Sequence, residues 1–431
     1  MTTTEPETYA GGLSRRQALN WRNAIFVVFM LPGLAMASWV SRLPAVRDAL
    51  EIRIDQVGVL ILAIAAGSVI GLVFSSHIVA RLGARTTMLL GLIVTAVGLA
   101  VSGLGATVGP VFALTFGGLF VFGFASGITD VAMNVSGAAN ERTLRRAIMP
   151  VFHAFFSFGT MIGAGLGALA ELAGVPIAVH TGIMALVIVV VAVAVVRLIQ
   201  SEHVIEEGEE PVPDDDHSKT WRGRLAIWKD PRTLLIGVLV LSAAFAEGSA
   251  NDWLALAMVD GHGVDNATGA RVFGIFVTAM TVGRLGGVVL LNRFGRVPVL
   301  RASFVLATAS LLVIIFVPNP VVAMIAAVTW GLGAALGFPI GMSAAADDPK
   351  TAAARVSAVA TIGYFAFLVG PPVIGFLGEH VGILNALLVV LVLCAVGAIV
   401  AGSAREPNRA TATKVDPFAD PGDATNSTPT P

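Results

Sequence analysis

One acidic residue stands inside an apolar stretch that is long enough to cross a membrane. Asp130 lies well inside residues 111–137. A charged carboxylate at the middle of a bilayer costs about 2.5–3.5 kcal/mol on insertion scales. Because desolvation favours the neutral form, such an acid can exchange a proton near neutral pH, which suits proton coupling or a hydrogen bond to a bound solute. The alternative is a structural acid paired with a neighbouring helix or with the arginines of the following loop.

A histidine lies near the start of the next apolar stretch, residues 149–172. His153 falls one turn into it, where an imidazole could titrate or donate a hydrogen bond to a solute hydroxyl. A buried histidine bonded to a helix-end carbonyl explains the same position equally well.

A second polar group interrupts residues 233–258. Glu247 and Asn251 are four residues apart and share one helical face, and Asp252 follows directly. The two interpretations are a solute-binding site and an outer gate. In the gate, Arg42 and Arg47 at the end of the first span are the expected partners.

Three further side chains have two interpretations each. Trp330 and Tyr364 could stack on a sugar or another planar solute, although aromatic residues in membrane helices more often pack or anchor at interfaces. Arg284 could contact a solute, but its long side chain more simply reaches the cytosolic surface.

The composition of the 431-residue chain indicates what kind of protein positions these residues. Hydrophobic residues make up 56% and charged residues 13%, and the mean hydropathy is +0.84. A soluble protein with this composition would expose too much apolar surface, so we predict a membrane protein. The net charge of −1 gives no sign of nucleic-acid binding. The single cysteine, Cys394, excludes an intrachain disulfide.

The hydropathy pattern predicts twelve transmembrane helices in two pseudo-symmetric six-helix lobes, which is an all-α membrane fold. The predicted spans are 23–43, 56–80, 87–108, 111–137, 149–172, 176–198, 233–258, 270–291, 298–317, 320–343, 356–378 and 381–402. A cytosolic segment 1–22 precedes the first lobe (23–200), a charged cytosolic linker 201–232 leads to the second lobe (233–402), and a disordered cytosolic tail occupies 403–431. With both termini cytosolic, 22 of the 27 Lys and Arg residues fall on the cytosolic side.

The two halves also repeat short signals. RLGAR at 81–85 follows the second span, and NRFGR at 292–296 follows the eighth. Two lobes with related signals are the layout of a transporter with its pathway between the lobes. Neither a phosphate-binding loop nor an HExxH helix occurs in the sequence, so we predict neither an ATP-driven pump nor an enzyme.

These loops, with six plus six helices, resemble the major facilitator superfamily. In that family the matching loop reads Gly-x-x-x-Asp-Arg-x-Gly-Arg-Arg and helps to latch the cytosolic gate, whereas this chain reads SHIVARLGAR at 76–85 and carries Ala80 at the acidic position. The resemblance implies gate roles for four arginines: Arg81, Arg85, Arg293 and Arg296.

The fourth and fifth spans resemble the fucose-permease-like sugar:proton symporters more closely. GITDVAMNVSG at 127–137 and MPVFHAFFSFG at 149–159 place Asp130 at that branch's acid, Asn134 at its asparagine and His153 near a sugar-facing glutamine. The first span departs from the branch, because WVSR at 39–42 has no second acid.

Together these features predict a monomeric transporter of the bacterial cytoplasmic (inner) membrane that needs no cofactor or metal. Its partners are the lipid bilayer, protons and a small solute. We expect symport of a small polar, sugar-like solute with protons. The alternative is a proton antiporter that exports a lipophilic compound, which Met- and Phe-rich cavity walls would favour.

Overall fold

A computed structural model describes residues 8–9, 13–144, 148–200, 227–348 and 351–406. Most of this part of the chain is helical. A short ribbon of β1 (Thr8–Tyr9) and β2 (Leu13–Ser14) precedes the first helix. Residues 201–226 of the predicted linker and 407–431 of the predicted tail lie outside the described residues.

The first lobe is built from long apolar helices joined by short connections. Its helices are α1 (Arg15–Val40), α2 (Leu43–Leu50), α3 (Ile54–Thr107), α4 (Phe112–Leu144), α5 (Met149–Leu172) and α6 (Ile177–Val196). The first helix begins eight residues before the predicted span, because Ser14 caps it and exchanges hydrogen bonds with Gln17.

The second lobe repeats the pattern. Its helices are α7 (Pro231–Leu256, continued by a π turn at Ala257–Gly261), α8 (Asn266–Phe294), α9 (Arg296–Phe316), α10 (Pro320–Ala334), α11 (Gly337–Ala345), α12 (Ala352–Val381), α13 (Ile383–Ala386) and α14 (Leu388–Val400, continued by a 3-10 turn at Ala401–Ala404). The tenth predicted span is broken into α10 and α11, and the twelfth into α13 and α14.

The described helices confirm the twelve-helix layout. Among the described residues, ten helical stretches are long and apolar enough to cross a membrane, with α10 and α11 counted as one stretch and α13 and α14 as another. The 54-residue α3 is one of these, and it turns back at Gly83 to make two spans. The twelfth crossing is α8, whose three arginines reduce its apolar character.

The loops after the second and eighth crossings share one backbone conformation. Gly83 has φ 74° and ψ 156°, and Gly295 has φ 77° and ψ 170°. Only glycine adopts such angles without strain, because a Cβ would clash with the backbone. The repeat seen in the sequence is therefore also a repeat of chain geometry.

The lobes touch along α3 with α12 and along α5 with α8. We call the end of the bundle that carries residues 41–53, 108–111 and 173–176 the outer end, and the opposite end the inner end. At the outer end α3 and α12 approach so closely that a Cβ on Gly58 would lie 2.8 Å from the Pro371 carbonyl oxygen. The bundle is therefore closed at its outer end.

Candidate functional site

Asp130 occupies the middle of α4 on a face that is open to the space between the lobes. Its side chain is exposed, although the helix turns on either side of it are buried. Asn134, one turn later, donates a hydrogen bond to the Asp130 carbonyl oxygen at 2.8 Å and lies 3.4 Å from its carboxylate. In the described residues no cation pairs with this carboxylate, so an ion pair with Arg142 does not form. Arg145 and Arg146, the other loop arginines of the structural alternative, lie outside the described residues.

Tyr364 faces Asp130 from the other lobe. It lies in α12 with 47% of its side chain exposed, and the charge of Asp130 acts on its phenol. A phenol can both donate and accept a hydrogen bond, as can the Asn134 amide. These three side chains therefore offer donors and acceptors to a polar solute from both lobes.

His153 lies one turn into α5, as predicted, and is exposed rather than buried. Its ring packs edge-on against Phe29, with the centroids 5.2 Å apart. His153 is thus placed where its ring can contact a solute.

An ion pair between two helices of the second lobe lies at mid-depth beside the lobe boundary, and it corrects one sequence prediction. Arg284 does not extend to the inner surface; its Nη2 lies 2.8 Å from both carboxylate oxygens of Glu247 in α7. Its Nη1 donates at 3.2 Å to Ser157 in α5, across the lobe boundary. From the sequence, Glu247 was expected to contact a solute or the arginines at the outer end. Its actual partner, Arg284, was not predicted.

The arrangement combines a compensated charge with a carboxylate that has no counter-ion among the described residues. Arg284 and Glu247 neutralise each other, whereas none of the described cations pairs with Asp130. A carboxylate within a membrane span that has no counter-ion is more easily neutralised by a proton than one held in an ion pair. Asp130 is therefore the best-placed proton acceptor of this group, and the residues around it are hydrogen-bonding groups.

Three predicted site residues lie elsewhere. Trp330 is fully buried in the second lobe against Phe276, with ring centroids 5.5 Å apart, so the prediction that it stacks on a solute is wrong. Asn251 is half-buried, and its side-chain oxygen has no hydrogen-bond partner. Asp252 points into a narrow cleft between α7 and α12 and pairs with neither Arg42 nor Arg47.

Arg42 belongs to the first lobe alone. Its Nε lies 2.7 Å from Glu171, its Nη2 donates to the Val175 carbonyl at 2.8 Å, and its side chain is 4% exposed. The expected contact from Arg42 to the seventh helix does not form. Arg42 instead ties the end of α1 to the end of α5.

The lobes are joined at the outer end by polar contacts that sequence reasoning missed. Arg47 pairs with Asp260, the Asn266 amide donates to Asp48 at 2.9 Å, and Glu379 accepts from the Ile54 amide at 3.1 Å. We call these three contacts the outer seal. Arg47 lies in α2, after the first crossing, and Asp260 lies in the π turn that ends the seventh crossing. Their opposite charges at equivalent places of the two lobes were the signal in the sequence that could have predicted this pair.

The four arginines of the repeated loops lie at the inner end. Arg296 pairs with Asp347 at 2.7 Å, and Arg85 donates to the Arg197 carbonyl at 3.2 Å. The Arg293 guanidinium lies 5.3 Å from the Phe294 ring centroid, and Arg81 is exposed. The contacts of Arg296 and Arg85 each stay within one lobe.

No group of three or more His, Cys, Asp or Glu side chains that could hold a metal occurs in the described ranges. The site is therefore made of hydrogen-bonding and charged side chains at the lobe boundary.

Comparisons with known proteins match both the sequence and this architecture. The Major Facilitator Superfamily profile matches residues 24–365 and again 254–427. An uncharacterized MFS-type transporter of Yersinia pestis is 30% identical over 82% of this chain and 88% of its own length. A variant of the nucleoside transporter NupG superposes with a TM-score of 0.67 at 16% identity, covering 90% of this chain and 98% of NupG. The E. coli fucose:proton symporter FucP superposes with a TM-score of 0.60 at 19% identity, covering 91% and 100%.

Proposed function

Because the chain belongs to the Major Facilitator Superfamily, we propose that it carries a small, hydroxyl-rich solute across the membrane together with protons. The observation that supports this is Asp130, a mid-membrane carboxylate that faces the space between the lobes and has no counter-ion in the part of the chain that the structure describes. A proton on Asp130 removes the charge that would otherwise resist the closing of the lobes around the solute. Proton binding and solute transport are then linked through one residue.

The solute binds between Asp130 and Asn134 of the first lobe and Tyr364 of the second, with His153 at its side. Each of these groups can hydrogen-bond a hydroxyl, and they come from both lobes, so a bound solute favours lobe closure. The Arg284–Glu247 pair forms the neighbouring polar wall. FucP and NupG, by their names a fucose and a nucleoside transporter, supply the first probes.

The test is uptake into proteoliposomes that carry an inward pH gradient, with L-fucose and uridine as probes within a wider library of sugars and polyols. Solutes that raise the melting temperature of the purified protein are taken forward. Asp130→Asn should abolish gradient-driven accumulation while counterflow of the same solute continues. Full gradient-driven accumulation by this variant would show that Asp130 does not couple transport to protons.

A matched control is Asp265→Asn. Asp265 caps α8 at the outer end, accepting from the Thr268 amide at 2.7 Å, and asparagine can keep that contact. The control also loses one carboxylate, but outside the lobe boundary. It should accumulate solute as the unmodified protein does.

Export of a lipophilic compound by proton antiport is a second candidate, favoured by the aromatic rings next to His153. Phe26 stacks on Phe155 with centroids 4.5 Å apart, and Phe365 is 56% exposed. Aromatic walls of this kind suit apolar solutes. Thermal stabilisation by lipophilic cations, without any by sugars or nucleosides, would favour export over import.

We further propose that the inner end is cytosolic, that the protein resides in a bacterial inner membrane and that it acts as a monomer. The charge distribution of the sequence supports this orientation. The four arginines at the inner end then act at the cytosolic gate, and the outer seal closes the periplasmic side. Protease or labelling access to each end in right-side-out vesicles tests the orientation.

A further inference from the structure

Asp252 is a carboxylate in an apolar cleft behind the lobe boundary. The cleft lies between α7 and α12 and is lined by Phe245, Gly248, Trp253, Phe367, Gly370 and Pro371, among others. The carboxylate is half-buried. Among the described residues it has no hydrogen-bond donor and no ion-pair partner, unlike Glu247 five residues before it.

The cleft is next to the contact that closes the outer end. Pro371, part of its lining, carries the carbonyl oxygen that Gly58 of the first lobe approaches. Gly375, one turn later, lies against the Trp253 ring, the Ile54 carbonyl and Gly58. Residues that line the cleft around Asp252 therefore also lie at the contact between α3 and α12.

The helix opposite Asp252, α12, is weakened at this level by two prolines. Pro371 and Pro372 lie inside α12, where each removes a backbone hydrogen bond and favours a bend. A change in the separation of α3 and α12 at this point alters the size of the cleft and the access of water to Asp252.

The charged and titratable groups of the elements packed around α7 are engaged elsewhere. The His380 ring contacts the Phe376 carbonyl oxygen at 2.8 Å, the His262 ring contacts the Ile314 carbonyl oxygen at 2.9 Å, and Arg355 pairs with Asp230 at 3.2 Å. Arg271 donates to Thr268 of its own helix, Arg284 is held by Glu247, and Arg53 pairs with Asp55 and Glu379. Arg47 and Asp48 are bound to Asp260 and Asn266 in the outer seal. None of the residues that line the cleft, apart from Asp252, is charged.

We propose that Asp252 is a second proton-binding site, separate from Asp130, that controls the outer seal. With the seal closed, the carboxylate is held in an apolar cleft without a partner, which favours its protonated form. When α3 and α12 separate, water reaches Asp252 and the proton leaves to the outer side. The proton returns from the same side before the seal re-forms, so it regulates opening and is not carried across. The proposal rests on the alternating-access transport proposed above.

The test measures the outer and inner openings separately by double electron–electron resonance. Spin labels at Val108→Cys and Val321→Cys report the outer end, and labels at Leu82→Cys and Phe294→Cys report the inner end. All four positions are exposed, and the single native thiol, Cys394, is fully buried. In the otherwise unmodified protein the outer distance should lengthen as the pH rises from mildly acidic to mildly alkaline.

Asp252→Asn should keep the short outer distance at every pH, because the amide imitates the protonated acid. Asp252→Glu should keep the pH response with a shifted midpoint, and this variant carries the test if the asparagine variant does not fold. Asp130→Asn should retain the response of the outer distance even though it loses gradient-driven uptake. A response that survives in Asp252→Asn, one that vanishes in Asp130→Asn, or an outer distance that never changes with pH would each overturn the proposal. Loss of uptake in Asp130→Asn tests the proposed function alone, so the two failures are distinguishable.

Discussion

At the scale of single residues, the site is organised by which charges have partners. Arg284 and Glu247 hold each other, and Ser157 fixes the arginine against the opposite lobe. Asp130 has a neighbouring amide but no cation among the residues described here. The two acids are therefore suited to different roles: Glu247 holds an ion pair, and Asp130 can change its charge.

The first prediction concerns that ion pair. Arg284→Gln leaves the partly buried Glu247 carboxylate without its cation, so the free energy of unfolding should fall by about 3 kcal/mol. Arg284→Gln combined with Glu247→Gln removes both charges and should recover most of that loss. Thermal unfolding in detergent measures the difference.

The control for this pair is Arg271→Gln. Arg271 lies on the same helix but donates only within it, to Thr268 at 2.6 Å. Its replacement should change the melting temperature little. A double variant that is no more stable than Arg284→Gln would mean that Glu247 is not the group left unpaired.

The direction of side chains such as Arg284 and Trp330 could not be read from the sequence. Both lie in apolar helices, and hydropathy indicates that a residue is within a span but not which neighbour its face meets. Asp130, Asn134 and His153 could be predicted because they stand at corresponding places of a known motif, and Tyr364 because an aromatic ring within a span can stack on a solute. Arg284 belongs to no such motif, and its contact depends on how two lobes pack.

At the scale of elements, helix ends and close helix contacts decide what can move. Asp230 caps the N-terminal end of α7, shortly after residue 227, where the described residues resume. Its carboxylate accepts from the Thr233 hydroxyl at 2.7 Å and the Thr233 amide at 3.3 Å, and it lies 3.2 Å from Arg355. These hydrogen bonds, with the Arg355 charge, hold the pKa of Asp230 below its ordinary value.

The second prediction follows from that cap. Asp230→Ala should lower the free energy of unfolding by about 1 kcal/mol near neutral pH. A depressed pKa in the folded state stabilises the fold above the ordinary aspartate range, and this contribution is lost as the pH falls through the folded-state value. The difference in melting temperature between the two proteins should therefore shrink on acidification.

The comparison variant is Asp230→Asn, which keeps an acceptor for the Thr233 amide but has no charge. It should fall between the other two proteins at neutral pH. A gap between the parent and Asp230→Ala that widens in acid would contradict the assignment of the cap.

The third prediction concerns the contact of α3 with α12. Gly58→Ala places a Cβ about 2.8 Å from the Pro371 carbonyl oxygen, which is too close for the present packing. The outer ends should move apart, seen as a longer distance between labels at 108 and 321, and transport should slow. Gly165→Ala, on α5 where an added Cβ meets nothing within 4 Å, should leave both measurements unchanged.

At the scale of the whole molecule, the lobes are in contact at one end of the bundle and apart at the other. They meet at the outer end through α3 with α12 and through Arg47 with Asp260. Asp130 and Tyr364 remain exposed on the inner side of that contact. With the orientation proposed above, this arrangement corresponds to an inward-open state.

The fourth prediction tests the seal by exchanging its charges. Arg47→Asp should weaken the outer contact and shift the population toward longer distances between 108 and 321. Arg47→Asp combined with Asp260→Arg restores opposite charges and should bring back the short distance. Arg271→Glu, the same kind of charge reversal at a residue bonded within its own helix, is the control. If the exchange of the two charges does not restore the short distance between 108 and 321, the Arg47–Asp260 pair does not hold the lobes together.

The crossings and their repeat could be predicted because each depends on a local property, apolar length or a glycine turn. The outer seal could not, since its partners are separated by more than 200 residues in the sequence. The breaks between α10 and α11 and between α13 and α14 were also missed. At these breaks the helix is interrupted but the sequence stays apolar, so hydropathy does not reveal them.

The long sequence separations in the outer seal have a consequence for biogenesis. Arg47, Asp48 and Ile54 leave the ribosome long before Asp260, Asn266 and Glu379, and domains generally fold as units, the earlier one first. During synthesis the first lobe must therefore rest in the membrane with half of the seal unmatched.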